Sequence, residues 1–415
     1  MLNMFTKKSR NNAEVVTDPE KIDELLSRSV IETLPNTQDL RKKLLSGKQL
    51  RIKLGIDPTS PNVHIGRSIP ILKLKDFQDL GHQIVLIIGD YTGVIGDTSD
   101  KDSERPMLTD EIIAENLKSY AEQAGKILDM SKVELHRNSE WLGKLGYGEI
   151  GRHAGVFSVS DFIARDNIKR RLDSGKRVSL REVLYPLMQG YDSVAIEADV
   201  ELGGTDQKFN LLAGRHLQKE FDQEPQDILM MEIINGLDGR KMSSSWGNTI
   251  NLMDEAKEMY GKVMSMRDEN IITYFKCCTR VPMNTVKSHE QDMMSGSNPR
   301  DIKMKLAHTL TSMYHDDSKA TEAEKAFVTQ FSKQEIPEDV PEVVINEELG
   351  IVEVLKKTGL AKSNNEAKRK IQEGAVVLDG NKIKSISFKM SGGKPQKGDT
   401  VILKLGRKII KLKFK

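Results

Sequence analysis

The chain predicts an α/β fold: an open parallel sheet with its helices, then a mostly helical stretch, then a small α+β module. Three observations predict it. From residue 51 to about 250, short apolar runs bounded by Gly, Pro and Asp alternate with helical periodicity. From 251 to about 335, Met and Leu recur at helical spacing. Beyond a Pro- and acid-rich stretch, a basic segment carries helix patterns and short β-like runs.

Residues 1–50 are polar, with Ile22, Leu25, Leu26 and Ile31 as a thin apolar stripe, and predict an N-terminal helical extension. Residues 51–250 form the α/β domain. Its strands are predicted at Arg51–Asp57, Gln83–Asp90, Lys132–Arg137 and Gln226–Ile234. Its helices are predicted at His64–Leu80, Thr109–Asp129, Asp161–Asp173 and Gln207–Glu220. The alternation is Rossmann-like, and residues 106–180 read as an insertion between the two sheet halves. Residues 251–335 form a helical domain, with stripes at Asp254–Met266 and Pro299–Tyr314. Residues 336–348, within a Pro- and acid-rich run, read as a linker. In 349–415, Gly350–Ile371 reads as helix, turn, helix, and Ala375–Leu378 and Thr400–Leu405 as short strands.

The 415 residues are 38% hydrophobic and 30% charged, enough for a sizeable core and a soluble surface. The longest apolar runs, such as Ile84–Ile88, are too short to span a bilayer. Met1–Arg10 lacks the apolar stretch of a secretory signal. Cys277 and Cys278 are the only cysteines and are adjacent, so they staple no loop; free thiols fit a reducing cytosol. No His/Cys cluster has zinc-site spacing, and no protein-held metal is expected. The net charge of +2 is unevenly placed. From Ile351 to Lys415 there are 17 Lys/Arg against 5 Asp/Glu, leaving 46 against 56 elsewhere. A basic terminal module on an acidic body points to a nucleic-acid partner or to a lysine-rich solvated face.

Two segments carry the chemistry. Pro58-Thr59-Ser60-Pro61-Asn62-Val63-His64-Ile65-Gly66-Arg67 follows the first predicted strand. Pro58 and Pro61 end that strand, and Asn62 is a suitable N-cap. His64 and Arg67 then fall in the first helical turn, where N–H groups and the helix dipole favour an anion. Gly66 leaves room for a flat base against the backbone. The second segment, Lys241-Met242-Ser243-Ser244-Ser245, follows the strand Gln226–Ile234 and the turn cluster Asn235–Gly239. It can close over a polyphosphate, with Lys241 as the point charge. Alone, the first is equally an ordinary strand–helix turn and the second a surface loop. Together they have the layout of a nucleotide site at a sheet crevice.

The pair resembles the HIGH and KMSKS signatures of class I aminoacyl-tRNA synthetases. A third segment, Gly203-Gly204-Thr205-Asp206-Gln207-Lys208-Phe209-Asn210, with Tyr185, Gln189 and Asp192 upstream, is similar to that of tyrosyl-tRNA synthetases. The similarity covers nearly the whole chain, with the motifs in order. Gly359–Lys370 resembles the small RNA-binding domain first described in ribosomal protein S-four.

The resemblance implies a tyrosine–tRNA ligase. L-tyrosine and ATP would form tyrosyl-adenylate and pyrophosphate, and tyrosine would then pass to the terminal ribose of tRNA(Tyr). It further implies ATP with Mg²⁺, a cytoplasmic homodimer joined through the 106–180 insertion, and anticodon-region contacts from 251–335. Catalysis would fall to His64, Arg67 and Lys241. ATP would also meet Pro58, Gly66, Asp206, Ser243 and Ser244. Tyrosine would be held by Gly55, Asp57, Asp97, Tyr185, Gln189, Asp192 and Gln207, with Asp192 accepting the phenolic hydroxyl and Tyr185, Gln189 and Asp97 the ammonium. RNA contacts would include Lys362, Lys368, Arg369 and Lys370.

The spacing of Tyr185, Gln189 and Asp192 independently puts them on one side of a helix flanked by apolar residues, though Pro186 would start or kink it. Four positions depart from the family pattern. Arg67 stands where the signature ends in histidine, Ser244 where many members carry another lysine, Lys53 where some have a tyrosine that touches the substrate hydroxyl, and Pro70 where some relatives have a small polar residue near the ribose. Two other readings fit the chain: a tryptophan-specific synthetase, and a non-catalytic RNA-binding protein derived from a synthetase.

Overall fold

Residues 14–58, 60–95, 110–331, 340–345, 349–389, 400–406 and 408–414 are described by the structure, a computed structural model. Six strands form the first sheet: β1 (Val30–Leu34), β2 (Arg51–Ile56), β3 (Gln83–Ile88), β4 (Val133–Arg137), β5 (Val200–Gly204) and β6 (Asp227–Met231). Their order is β1-β6-β5-β2-β3-β4. All neighbours are parallel except β1, which runs antiparallel to β6. β3 is apolar and buried after Gln83, and β2 is buried through Leu54 although it carries Arg51 and Lys53, because helices cover both faces of a parallel sheet. The chain leaves β2 towards β3 and β4, then returns to β5 on its other side. Neighbouring carboxyl ends at β2 and β5 therefore frame a crevice at the point where the winding reverses.

The N-terminal extension is not wholly helical. Helices Pro19–Ser27 and Thr37–Leu45 flank β1, which takes the sheet edge. Ile22, Leu25 and Leu26 are buried, but Ile31 lies in β1 and is 55% exposed. The helix after β2 runs Ile65–Asp79. The insertion supplies β4 and four short helices, Ser139–Leu142, Tyr147–Ala154, Val159–Ile163 and Asp166–Asp173. The single helix expected at Asp161–Asp173 is thus broken.

Helix Leu180–Ala195 starts at Ser179, which forms a capping box with Glu182. Pro186 sits inside it rather than at its start. A proline there cannot bond the carbonyl of Glu182, and that carbonyl instead accepts from the Arg165 guanidinium at 3.4 Å.

One compact unit ends at Glu324 and a second begins at Lys325. The second holds a five-stranded sheet ordered β7-β11-β10-β8-β9. Its strands are β7 (Glu342–Ile345), β8 (Val376–Leu378), β9 (Asn381–Ile383), β10 (Thr400–Leu405) and β11 (Lys408–Phe414). Helices Ile351–Lys357 and Asn364–Gln372 bury Val354, Leu355, Ala367 and Ile371 against Leu403 and Leu412. The predicted linker is therefore partly a strand: β7 pairs in parallel with β11, and Ile345 joins the core. No helix among the described residues is long and apolar enough to cross a membrane.

Candidate active site

The two signature segments are drawn together by backbone hydrogen bonds. Ile65 N–H donates to Ile250 O and Leu252 N–H to Val63 O, both at 2.9 Å. The residues just after the second loop thus pair with those that open the first helix. Met242 is buried, and a Cβ built on Gly66 would stand 3.3 Å from its sulfur. A cavity of about 350 Å³ lies at the carboxyl ends of β2 and β5.

His64, Gly66 and Arg67 line this cavity from the first segment, and Lys241, Ser243 and Ser244 from the second. Gly55 and Asp57 reach it from the end of β2, and Asp206 and Gln207 from the turn after β5. Tyr185, Gln189 and Asp192 face it from the Leu180–Ala195 helix. Pro58 does not line it; it is buried, with its carbonyl accepting from Asn116 at 2.8 Å. Asp97 lies outside the described residues.

The N-cap of the Ile65–Asp79 helix is His64, not Asn62. Its Nδ1 accepts from the Arg67 N–H at 3.3 Å. Burial, then Arg67 and Lys241, push its pKa down to about 3. The ring is therefore neutral, and with Nδ1 accepting, the ring proton sits on Nε2. His64 is thus a buried hydrogen-bond donor and not a cation. The cationic groups on the cavity wall are Arg67 and Lys241. Lys241 Nζ lies 2.8 Å from Asp206 Oδ2.

The second loop has an organiser that the sequence analysis missed. Asn248 is 4% exposed; its Oδ1 accepts from Ser243 N–H at 2.8 Å. Its Nδ2 donates to Asp238 Oδ1 at 2.8 Å and to Lys241 O at 3.1 Å. Gly236 lies hard against it, since a Cβ there would fall 2.3 Å from Asn248 O. The signal was the loop's shape: a turn cluster needs a buried polar partner for its orphaned backbone groups.

The far end of the cavity is carboxylate-rich. Asp57 Oδ2 accepts from Tyr185 Oη at 2.7 Å and Oδ1 from Thr92 Oγ1 at 2.8 Å. Gly89 lets this occur, because a Cβ there would stand 2.0 Å from Asp57 Oδ1. Asp192 is buried, accepting from Trp141 Nε1 at 2.7 Å and Asn138 Nδ2 at 3.3 Å. Asn138 also donates to Thr92 Oγ1 at 2.9 Å, linking the two carboxylates. Burial drives the Asp192 pKa up to about 7, against the pull of Lys53, Trp141 and Asn138. Lys53 is not in the cavity wall; it is fully buried behind it, 2.9 Å from Glu201.

This open, mostly parallel sheet, with both signature segments at one switch-point crevice, is the architecture of a class I aminoacyl-tRNA synthetase. The family of tRNA synthetases class I (W and Y) matches residues 45–332, and the tyrosine–tRNA ligase SYY-like C-terminal domain matches 332–412. A tyrosine–tRNA ligase of Moorella thermoacetica is 46% identical over 365 residues, 86% of this chain and 88% of its own. One from Thermotoga maritima is 45% identical over 372 residues, covering 89% and 92%. The chain belongs to the tyrosine–tRNA ligase family of aminoacyl-tRNA synthetases. The fold matches tyrosyl-tRNA synthetase structures from Aspergillus nidulans mitochondria (TM-score 0.63, 21% identity, 75% of this chain and 94% of that one) and Archaeoglobus fulgidus with L-tyrosine (0.60, 23%, 74% and 100%).

Proposed function

We infer that this chain activates L-tyrosine with ATP and charges tRNA(Tyr), using the cavity between β2 and β5. The observation that carries the reading is that His64, Lys241 and Asp192 line one cavity. A tyrosine carboxylate oxygen attacks the α-phosphorus, its bond to the bridging oxygen breaks, and pyrophosphate leaves. No side chain serves as a nucleophile. Catalysis is positioning plus stabilisation of charge on the phosphoryl oxygens. His64 Nε2–H, Arg67 and Lys241 supply donors there, with Gly66, Ser243 and Ser244 around the nucleotide and Asp206 at the ribose.

At the other end, Asp57, Tyr185 and Gln189 surround the substrate ammonium, and Asp97 is assigned to the same end. Asp192 accepts the phenolic hydroxyl, which favours tyrosine over tryptophan. Gln207 addresses the carboxylate or α-phosphate. Magnesium arrives on ATP, since the ion keeps waters and borrows phosphate ligands. Among the described residues, no group of three His, Cys, Asp or Glu side chains is arranged to hold a metal by itself.

The reading extends to partners. Exposed Tyr147, Val159, Leu172 and Leu180 in and beside the insertion support a homodimer through that region. Buried, free Cys277 and Cys278 suit a cytoplasmic enzyme. We assign 251–335 to the anticodon region and 349–415 to RNA binding. Lys362, Lys368 and Arg369 are exposed beside or on the Asn364–Gln372 helix, with Lys370 half-buried.

Amino-acid-dependent ATP–pyrophosphate exchange across the twenty amino acids tests the enzyme reading. Exchange with tyrosine alone supports it, exchange with tryptophan redirects it, and none with any amino acid overturns it. Reversing charge at Lys368 and Arg369 together is expected to raise KM for tRNA and flatten its salt dependence by about one to two log units per log unit of salt. Tyrosine-dependent exchange should be unchanged; unaltered tRNA charging would reject the RNA role.

A further inference from the structure

Gln189 presents a carboxamide to the cavity, and only its oxygen can accept from an ammonium group. Which end faces inward is decided behind the wall. Gln189 Nε2 lies 3.1 Å from Glu201 Oε1. Glu201 is 1% exposed and paired with Lys53, its register partner on the neighbouring parallel strand. Lys53 Nζ also donates to Gln189 O at 2.9 Å and Ser193 Oγ at 2.7 Å. The other Glu201 oxygen accepts from Ser193 Oγ at 3.1 Å and from Gln226 Nε2.

An ionised carboxylate can only accept, so the half of the Gln189 amide that faces it must be NH₂. The remaining half is carbonyl, and Oε1 accepts from Asn210 Nδ2 at 3.1 Å. The same Asn210 nitrogen donates to Gln207 Oε1 at 2.9 Å. Gln189, Asn210 and Gln207 therefore form a chain of amides, each of which could by itself turn over. Glu201 is the member of this cluster that cannot reverse its polarity.

We propose that Glu201, outside the cavity, is the positioning residue that sets the direction of this amide chain, so that Gln189 Oε1 faces the substrate ammonium. Lys53 is the counter-charge that lets a carboxylate occupy that buried place. The proposal rests on the tyrosine–ATP reading of the cavity. It also gives a physical role to Lys53, which stands where some members of the family have a tyrosine.

Glu201→Gln keeps the shape but offers NH₂ as readily as C=O, so Gln189 can turn. KM for tyrosine is expected to rise about tenfold or more, with KM for ATP held within about twofold. Inhibition by tyramine, which carries phenol and ammonium, should weaken by the same factor. Inhibition by p-cresol, which carries the phenol alone, should not change. A loss acting through Asp192 or through general loosening would move both inhibitors.

Because Glu201→Gln strands the Lys53 charge, the Lys53→Met/Glu201→Gln double variant is made beside it, with thermal melts of both. Removing both partners of a buried pair is often neutral for stability. The double variant is expected to keep the raised tyrosine KM and the selective loss of tyramine inhibition. Parental tyramine inhibition in either folded variant overturns the proposal. Absence of tyrosine-dependent exchange in the parental chain overturns the underlying reading instead.

Discussion

Asp192→Asn is expected to raise KM for tyrosine about ten- to a hundredfold while leaving KM for ATP within about twofold. Asp192 already accepts from Trp141 and Asn138. A carboxylate has lone pairs left for the phenolic O–H. Asparagine replaces one acceptor with NH₂, which meets the Asn138 amide donor against donor, and the phenol loses its charged partner. The pH dependence gives a second signature. Burial lifts the Asp192 pKa from the ordinary 3.8 to about 7, opposed by Lys53, Trp141 and Asn138 and aided by Glu201. The folded chain therefore holds this proton more tightly than the unfolded chain.

The sign follows from that tighter hold. Parental stability relative to the asparagine variant should decline as pH rises from about 4 through about 7. Over the upper part of the same rise, tyrosine affinity of the parent should improve, because the carboxylate is the form that takes the phenol. The variant should show neither trend. Exchange kinetics and denaturation curves between about pH 5 and 8 measure both. Equal losses for tyrosine and ATP would refute the assigned role.

Local pattern made the long elements legible. Arg51–Ile56 and Pro299–Tyr314 carry strong periodicity and clear stops, and the structure places them within a residue of the expected bounds. β5 was missed because Val200–Gly204 ends in two glycines, which leaves only Val200–Leu202 to carry a strand pattern. β1 and β7 were hidden differently. Each has a clear strand composition only in four or five residues, embedded in a helical or acid-rich neighbourhood, and each is held by a partner distant in sequence. Pairing of that kind is tertiary and leaves little local trace.

The cavity was more legible than its supports. Residues that line the cavity come in compact clusters, such as His64 with Arg67 or Asp206 with Gln207. Glu201, Asn138 and Asn248 are single polar residues whose role depends on neighbours brought from elsewhere. One trace was available: Lys53 and Glu201 each sit between apolar neighbours inside a strand, and buried opposite charges on adjacent strands call for one another. His64 was expected in the helix's first turn but is its N-cap, and burial, then Arg67 and Lys241, hold its ring neutral.

That leaves Lys241 with much of the charge work in the second loop, since Ser244 stands where a second lysine is common in the family. Lys241→Met is expected to lower kcat for exchange roughly 10²- to 10³-fold, the scale of losing one preorganised donor to developing charge. KM for tyrosine should stay within about twofold, because the phenol and ammonium ends are untouched. Asp206 complicates the reading, for its carboxylate lies 2.8 Å from the ammonium. Removing Lys241 therefore also strips the counter-charge from an acidic group beside incoming phosphates.

The Lys241→Met/Asp206→Asn double variant separates the two effects. If the lysine merely neutralises Asp206, removing both charges should return kcat to within a few-fold of the parent. If it acts on the polyphosphate, repulsion is relieved but stabilisation stays lost, and kcat should remain at least about tenfold down. Asp206→Asn alone supplies the fourth corner and reports any ribose contribution through KM for ATP. Pre-steady-state formation of tyrosyl-adenylate is the measurement to use, because it isolates the chemical step from product release. A double variant with parental adenylate formation would remove Lys241 from the catalytic group.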